Sequence, residues 1–248
     1  MNDGIVDLEV LLPVHNEEES IEATIRELVS ELSSRLSVRI IVCEDGSSDN
    51  TKAVLRKLAE ELPLKLILSD EKKGYSRAVV DGMRALEAPY LLCIDADGQC
   101  DPTDFWEFWK RRNDCDLVVG WRRPRRDPWP RRVMSGTFQF LYNLVFRVPL
   151  HDPSCPYILL PDRVVERMAG DLRHMPDGCW WELNARARMR GLSVFEQPIN
   201  HRSRKSGKTR VFTLKRLANI GWVHARALFV VRREERAASA ASHSAPAP

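Results

Sequence analysis

The first 120 residues alternate between two hydrophobic periods. Leu8 to Val14 is a short, mostly apolar run and reads as a strand. From Glu18 to Arg35, apolar residues recur at Ile21, Ile25, Leu28, Val29 and Leu32, which is helical spacing. The alternation continues with a β-branched strand at Val38 to Cys43 and a helix opened by Asp49 and lined by Val54, Leu55 and Leu58. Strands are predicted at Leu64 to Leu68, Tyr90 to Ile94 and Leu117 to Val119, and helices over Ser76 to Leu86 and after Asp101-Pro102. Strands alternating with helices imply right-handed crossovers and an α/β fold with a mostly parallel twisted sheet flanked by helices. Beyond Gly120 the pattern predicts a mixed apolar helix over Val133 to Arg147, a short strand at Val194 to Gln197 and an amphipathic helix from Phe212 to Arg232. The last twelve residues are small, polar and proline-containing and read as a disordered tail. The expected organisation is one domain over residues 1–212, an amphipathic carboxy-terminal helix over 213–236 and the tail over 237–248.

In open parallel sheets, ligands bind beyond the carboxyl ends of the strands. Six carboxylates fall there: Glu17 after the first strand, Glu44, Asp45 and Asp49 after the second, and Asp95 and Asp97 after the fourth. Like charges gathered on one rim are costly unless a cation or basic ligand group offsets them. Asp95-x-Asp97, with the amide of Gln99 two positions on, suits a hard divalent ion such as Mg²⁺ or Mn²⁺ that keeps positions open for water and phosphate oxygens. An isolated D-x-D is more often a turn; its place after a buried strand beside two other acidic loops favours the metal. Asp45 to Asp49 is compatible with both a tight turn into a helix cap and a contact to a nucleotide.

Composition narrows the field. Hydrophobic residues are 44% and charged residues 29%, which excludes wholesale disorder. A net charge of +3 argues against a general nucleic-acid binder. No stretch reaches the roughly 18 apolar residues of a spanning helix, and the amino-terminal segment shows no basic and apolar signal pattern. The six cysteines include no C-x-x-C and read as core thiols of a reducing cytoplasm.

The segments LLPVHNEEESI, VCEDGSSDNT and CIDADGQCDP, in that order, resemble the family 2 glycosyltransferases with the GT-A fold. VVGWRR, RRVMS, EQPI and HRSRKSGKTR look most like its polyprenyl-phosphate branch, typified by dolichol-phosphate mannose synthase. The resemblance spans roughly residues 8–212. It implies a nucleotide-contacting loop at Pro13, His15 and Glu17, where the family usually has tyrosine at position 15, and base and ribose contacts at Cys43 and Asp45. It implies a metal and diphosphate motif at Asp95, Ala96 and Asp97, with Gln99 as a further ligand, and the G-x-R arginine at Arg122. Arg131 and Ser135 match positions near an acceptor phosphate, and Arg202 and Lys208 match a basic loop over the donor phosphates. Asp97, Arg122, Arg131 and Ser135 are the implied catalytic residues. Gly98 stands where a larger residue is common, and the glycine pair that often follows G-x-R is replaced by arginines and prolines.

The implied activity is inverting transfer of a sugar of the mannose or glucose class from a GDP- or UDP-sugar to a polyprenyl phosphate. Such an acceptor is largely dianionic at neutral pH and needs no strong general base. A hydroxyl acceptor needs one, and Glu182 in WWEL is the candidate. A non-catalytic binder of anionic lipid or nucleic acid is the competing class; carboxylates on the rim weigh against it. Basic residues interleaved with Trp121, Trp129 and the apolar residues of 133–146 suggest peripheral attachment at the cytoplasmic face of the membrane, with or without a separate membrane subunit. The final helix reads instead as one that packs on the domain.

Overall fold

The strands sort their side chains onto two faces, as a period of two requires. In β1 (Leu8–Val14), Leu8, Val10, Leu12 and Val14 enter one core and Leu11 the other. In β2 (Val38–Glu44), Val38, Ile40 and Val42 part from Ile41 and Cys43 in the same way. Helices cover both faces, which is why these strands read as nearly continuous apolar runs. The first face is covered by α1 (Ile21–Leu32), α2 (Thr51–Ala59) and α4 (Phe105–Arg111), through residues such as Ile25, Leu55 and Phe108. The second is covered by α3 (Tyr75–Arg84), α6 (Asp162–Met168) and α7 (Trp180–Met189), through Val79, Val165, Trp180 and Leu183.

The computed structural model describes residues 6–123, 129–175, 178–202 and 214–244; of 129–132, 214–222 and 241–244 it describes the backbone alone. The remaining strands are β3 (Leu64–Leu68), β4 (Tyr90–Cys93), β5 (Leu117–Arg122), β6 (Ile158–Pro161) and β7 (Val194–Ile199). They form one seven-stranded sheet in the order β3-β2-β1-β4-β6-β5-β7. The pairs β1–β2, β2–β3, β1–β4 and β5–β7 are parallel, and β6 runs antiparallel to both β4 and β5. The chain builds outward from β1 to β3 and then returns to place β4 on the other side of β1. The gap beyond the carboxyl ends of β1 and β4 is the switch point of the sheet, where a ligand crevice forms.

Three features depart from the sequence reading. β6 was not foreseen, because Ile158–Pro161 is four residues between prolines with no alternation to mark it. α7 is buried from Trp180 to Ala187 almost all round, so it carries no amphipathic stripe. α8 (Leu214–Ser244) continues through residues 237–244, where a tail is expected, and it packs on α5 (Trp129–Phe146) and α7 rather than on the sheet.

That helix layer has its own core of Tyr142, Phe146, Trp181, Leu228 and Val231. Beside it lies a buried ionic clasp. Arg186 donates to Glu182 at 2.8 Å, Glu235 at 2.6 Å and Glu234 at 2.7 Å, and Arg190 joins Glu235 to Asp171. His174 donates from Nε2 to Glu234 at 2.9 Å. Arg186, Glu182 and Glu235 are almost wholly withdrawn from solvent, so each depends on the others for compensation.

Removing the shared cation by Arg186→Met leaves Glu182 and Glu235 buried without it and should cost about 3–5 kcal/mol in urea unfolding. Burial alone would raise the Glu234 pKa, but the hydrogen bonds from Arg186 and His174 outweigh it and hold the carboxyl down at about 2, against 4.5 for a free glutamate. This contribution is present above pH 4.5 and is lost as pH falls toward 2. Hydrogen exchange along α8 should accelerate across that window, and Glu234→Gln should flatten the response.

Candidate active site

The loops after β1 and β2 are stitched together by their own polar groups. Asn16 N–H donates to Ser47 Oγ at 2.9 Å, and Ser48 N–H donates back to Asn16 Oδ1 at 2.8 Å. Glu17 N–H donates to Thr51 Oγ1 at 3.0 Å, and Asn50 N–H to Glu18 Oε2 at 2.8 Å. Asn16 adopts φ 55°, a left-handed geometry that asparagine tolerates better than most residues. Gly46, at φ 63°, lies so close to the backbone of Glu71 and Lys72 that no Cβ fits.

All six rim carboxylates accept hydrogen bonds from the chain itself, so their crowding alone does not require a cation. Glu44 accepts from Ser47 N–H and lies 3.7 Å from the Lys52 ammonium. Glu17 accepts from Ser20 Oγ at 2.6 Å. Asp49 accepts from the amide and hydroxyl of Thr51 at 3.0 and 2.5 Å; burial works against its ionisation, but these bonds prevail and lower its pKa. Asp45 accepts at Oδ1 from Lys73 N–H at 2.5 Å and at both oxygens from Gly74 N–H at 3.0 Å. It thereby clamps the 69–74 loop over the end of β2.

A cavity of about 170 Å³ opens at the switch point, lined by Pro13, Val14, His15, Asp45, Lys72, Tyr75 and Ala78. It brings together three residues expected to contact a nucleotide: Pro13, His15 and Asp45. His15 Nδ1–H donates to the Asp45 carbonyl at 2.7 Å, which fixes the ring orientation and turns Nε2 away from that bond. Cys43 is placed otherwise: its thiol is buried, its sulfur lies 2.7 Å from where a Cβ on Gly82 would stand, and burial pushes its pKa up to about 12. A nucleotide could meet only its backbone.

Asp95, Ala96, Asp97 and Gln99 lie just beyond β4. Asp95 Oδ1 accepts from Tyr75 Oη at 2.7 Å, and Tyr75 Oη accepts from Trp180 Nε1 at 2.7 Å. Asp97 Oδ1 accepts from Gln99 N–H at 3.1 Å, and the buried Ala96 gives its carbonyl to Thr24. Gln99 spends its amide N–H on the Arg202 carbonyl at 3.2 Å. Among the described residues no three His, Cys, Asp or Glu side chains converge as a metal cluster. Two carboxylates and an amide oxygen do match the donor chemistry of a hard divalent ion whose other positions are filled by water and phosphate oxygens.

The basic residues are more dispersed than the sequence suggests. Arg122, at the end of β5, makes a bidentate pair with buried Asp152 at 2.6 and 2.8 Å, a partner the sequence reading passed over. Arg202 is committed to Glu27 at 2.6 Å and Asp101 at 2.8 Å, so its guanidinium anchors the start of the basic loop instead of facing the acidic pair. Ser135 is half-buried on α5. The Arg131 side chain and Lys208 lie outside the described residues. Glu182 is wholly buried in the clasp and also accepts from His174 N–H, which removes it as a general base at the cavity. Lys72, Tyr75, Trp180 and Asp152 were missed because no spacing marks them; only the fold brings them to the rim.

The model of glycosyl transferase family 2 matches residues 9–168. An uncharacterized glycosyltransferase of Mycobacterium tuberculosis is 28% identical over 206 residues, covering 82% of this chain and 88% of that one. The glycosyltransferase AglD of Haloferax volcanii is 28% identical over 87% of this chain and 36% of its own, longer one. The dodecaprenyl-phosphate galacturonate synthase of Rhizobium johnstonii is 25% identical over 85% of this chain and 65% of that one. Among solved structures, the M. tuberculosis glucosyl-3-phosphoglycerate synthase with Mn²⁺, UDP-glucose and phosphoglyceric acid superposes with a TM-score of 0.66 at 17% identity, covering 93% of this chain and 79% of that one. This likeness carries the fold.

Asp45→Asn replaces one acceptor oxygen of the clamp by a donor that faces backbone N–H groups. It should cost roughly 1–3 kcal/mol in urea unfolding, with faster hydrogen exchange at the amides of Lys73 and Gly74.

Proposed function

The chain belongs to glycosyl transferase family 2, and from that premise we propose that it moves a sugar, with inversion, from a GDP- or UDP-sugar to a polyprenyl phosphate. The observation that carries the reading is the junction at the switch point. A cavity lined by Pro13, His15, Asp45 and Lys72 lies one tyrosine away from Asp95 of the D-x-D pair. In this reading the cavity receives the nucleoside, and the diphosphate extends toward Asp95 and Asp97.

Asp95, Asp97 and the Gln99 amide oxygen would hold Mg²⁺ or Mn²⁺, which supplies positive charge beside the departing diphosphate. Lys72 at the cavity wall adds a cation. Arg122 is held rigid by Asp152, and a guanidinium pre-oriented in this way is suited to phosphate oxygens. The acceptor is assigned to the phosphate class because a phosphate dianion attacks without a base and Glu182 is engaged elsewhere. The lipid-phosphate galacturonate synthase among the relatives supports the same class.

No helix among the described residues is long and apolar enough to cross a membrane. The lipid acceptor is met instead at the surface. α5 exposes Val133, Phe140, Leu141 and Leu144, and α8 exposes Phe229. Arg147 and Arg236 both lie within electrostatic reach of Arg232. Apolar side chains beside clustered arginines complement an anionic leaflet.

Asp97→Ala should lower metal-dependent transfer from GDP- or UDP-sugar to a polyprenyl phosphate by about 10²–10³ with the fold intact. The labelled product should release its sugar in mild acid, as a glycosyl phosphate does; an acid-stable product would point to a hydroxyl acceptor. The protein should float with anionic vesicles and not with neutral ones, and Arg232→Gln with Arg236→Gln should weaken that flotation about thirtyfold, at roughly 1 kcal/mol lost per arginine.

A further inference from the structure

We propose that Tyr75 and Trp180 are positioning residues that aim the Asp95 carboxylate, coupling the wall of the nucleotide cavity to the metal-holding pair. This rests on the reading of Asp95 and Asp97 given above.

The relay has one polarity. Trp180 Nε1–H donates to Tyr75 Oη at 2.7 Å, and Tyr75 Oη–H donates to Asp95 Oδ1 at 2.7 Å. An indole has no acceptor, so Trp180 can only give, and the single phenolic proton is directed to the carboxylate. The terminal torsion of an aspartate is broad and soft, so its two oxygens take a defined orientation only when a partner imposes one.

The relay is anchored at both ends. Trp180 is 2% exposed within the core of α3 and α7, and its ring meets Tyr75 edge-on, with centroids 6.3 Å apart at 82°. Tyr75 directly follows Gly74, whose N–H is held by Asp45, and it lines the cavity. One side chain therefore touches the space assigned to the nucleoside and the carboxylate assigned to the ion. Packing alone does not call for a hydroxyl here. Phenylalanine would keep the ring contacts, and a buried hydroxyl is costly unless bonded. What the hydroxyl adds is its grip on Asp95.

The test uses the full chain titrated calorimetrically with UDP and with GDP, each with and without Mn²⁺. The wild type should bind one of them more tightly with Mn²⁺. Tyr75→Phe should reduce that enhancement about tenfold, the loss expected for a hydrogen bond to a charged group. Any loss of metal-free affinity should be smaller than the loss of Mn²⁺ enhancement, because the ring remains. Trp180→Phe, which lies away from the cavity, should reduce the enhancement in the same direction by about threefold, and it carries the test if Tyr75→Phe does not fold. Unchanged Mn²⁺ enhancement in both variants would overturn the positioning role while leaving the metal site standing. Equal losses with and without Mn²⁺ would reduce both residues to packing and overturn it too. A wild type with no Mn²⁺ enhancement for either nucleotide would remove the metal reading itself, and this proposal with it.

Discussion

The site depends on one carboxylate that does no chemistry in the proposed reaction. Asp45, 2% exposed at the end of β2, is compensated by backbone N–H groups of residues 73 and 74. A buried charge held by amides fixes whatever those amides belong to. Here they belong to the start of α3, so Tyr75 is set in place, and through Tyr75 so is Asp95. The Asp45 carbonyl meanwhile orients His15. Loops from three strands are thus registered to one another by short polar contacts before any ligand arrives. Preorganisation of this kind lets binding energy act on the ligand instead of on ordering the protein.

Much of this was legible in the residues. The short apolar runs of β1 to β4 and the helical spacing between them specify the parallel half of the sheet, because a strand covered on both faces and a helix covered on one leave different patterns. The acidic rim followed from the same logic, since the residues after β1, β2 and β4 must share an edge. Its electrostatics did not follow. The number of carboxylates was visible, but not that Glu17, Glu44, Asp45 and Asp49 would each find donors within the chain. Sequence counts charges, whereas compensation is a matter of geometry.

The second half of the chain was harder to read for a related reason. β6 is only four residues long and α7 is buried on nearly all sides, so the first is too short a run to mark a strand and the second carries no apolar stripe to mark a helix. The family resemblance implies a phosphate contact for Arg202, yet Glu27 and Asp101, remote in sequence, engage its guanidinium. Glu182 is a candidate base in the sequence, yet Arg186 one turn along the same helix and the amide of His174 hold it in a buried ion pair. For Arg202 the deciding partners lie elsewhere in the chain. α8 is bound to α7 by the same clasp and packs on α5, which ties the apolar ledge of α5 and α8 to the domain.

In the proposed reaction this acidic edge holds a divalent ion against the diphosphate of a sugar nucleotide. Diffraction at the manganese absorption edge, from crystals soaked with Mn²⁺ and GDP or UDP, locates that ion. An anomalous peak is expected between the carboxylates of Asp95 and Asp97, with the nucleoside in the cavity beside Tyr75. A nucleoside bound elsewhere, or a manganese peak away from both aspartates, would contradict this reading.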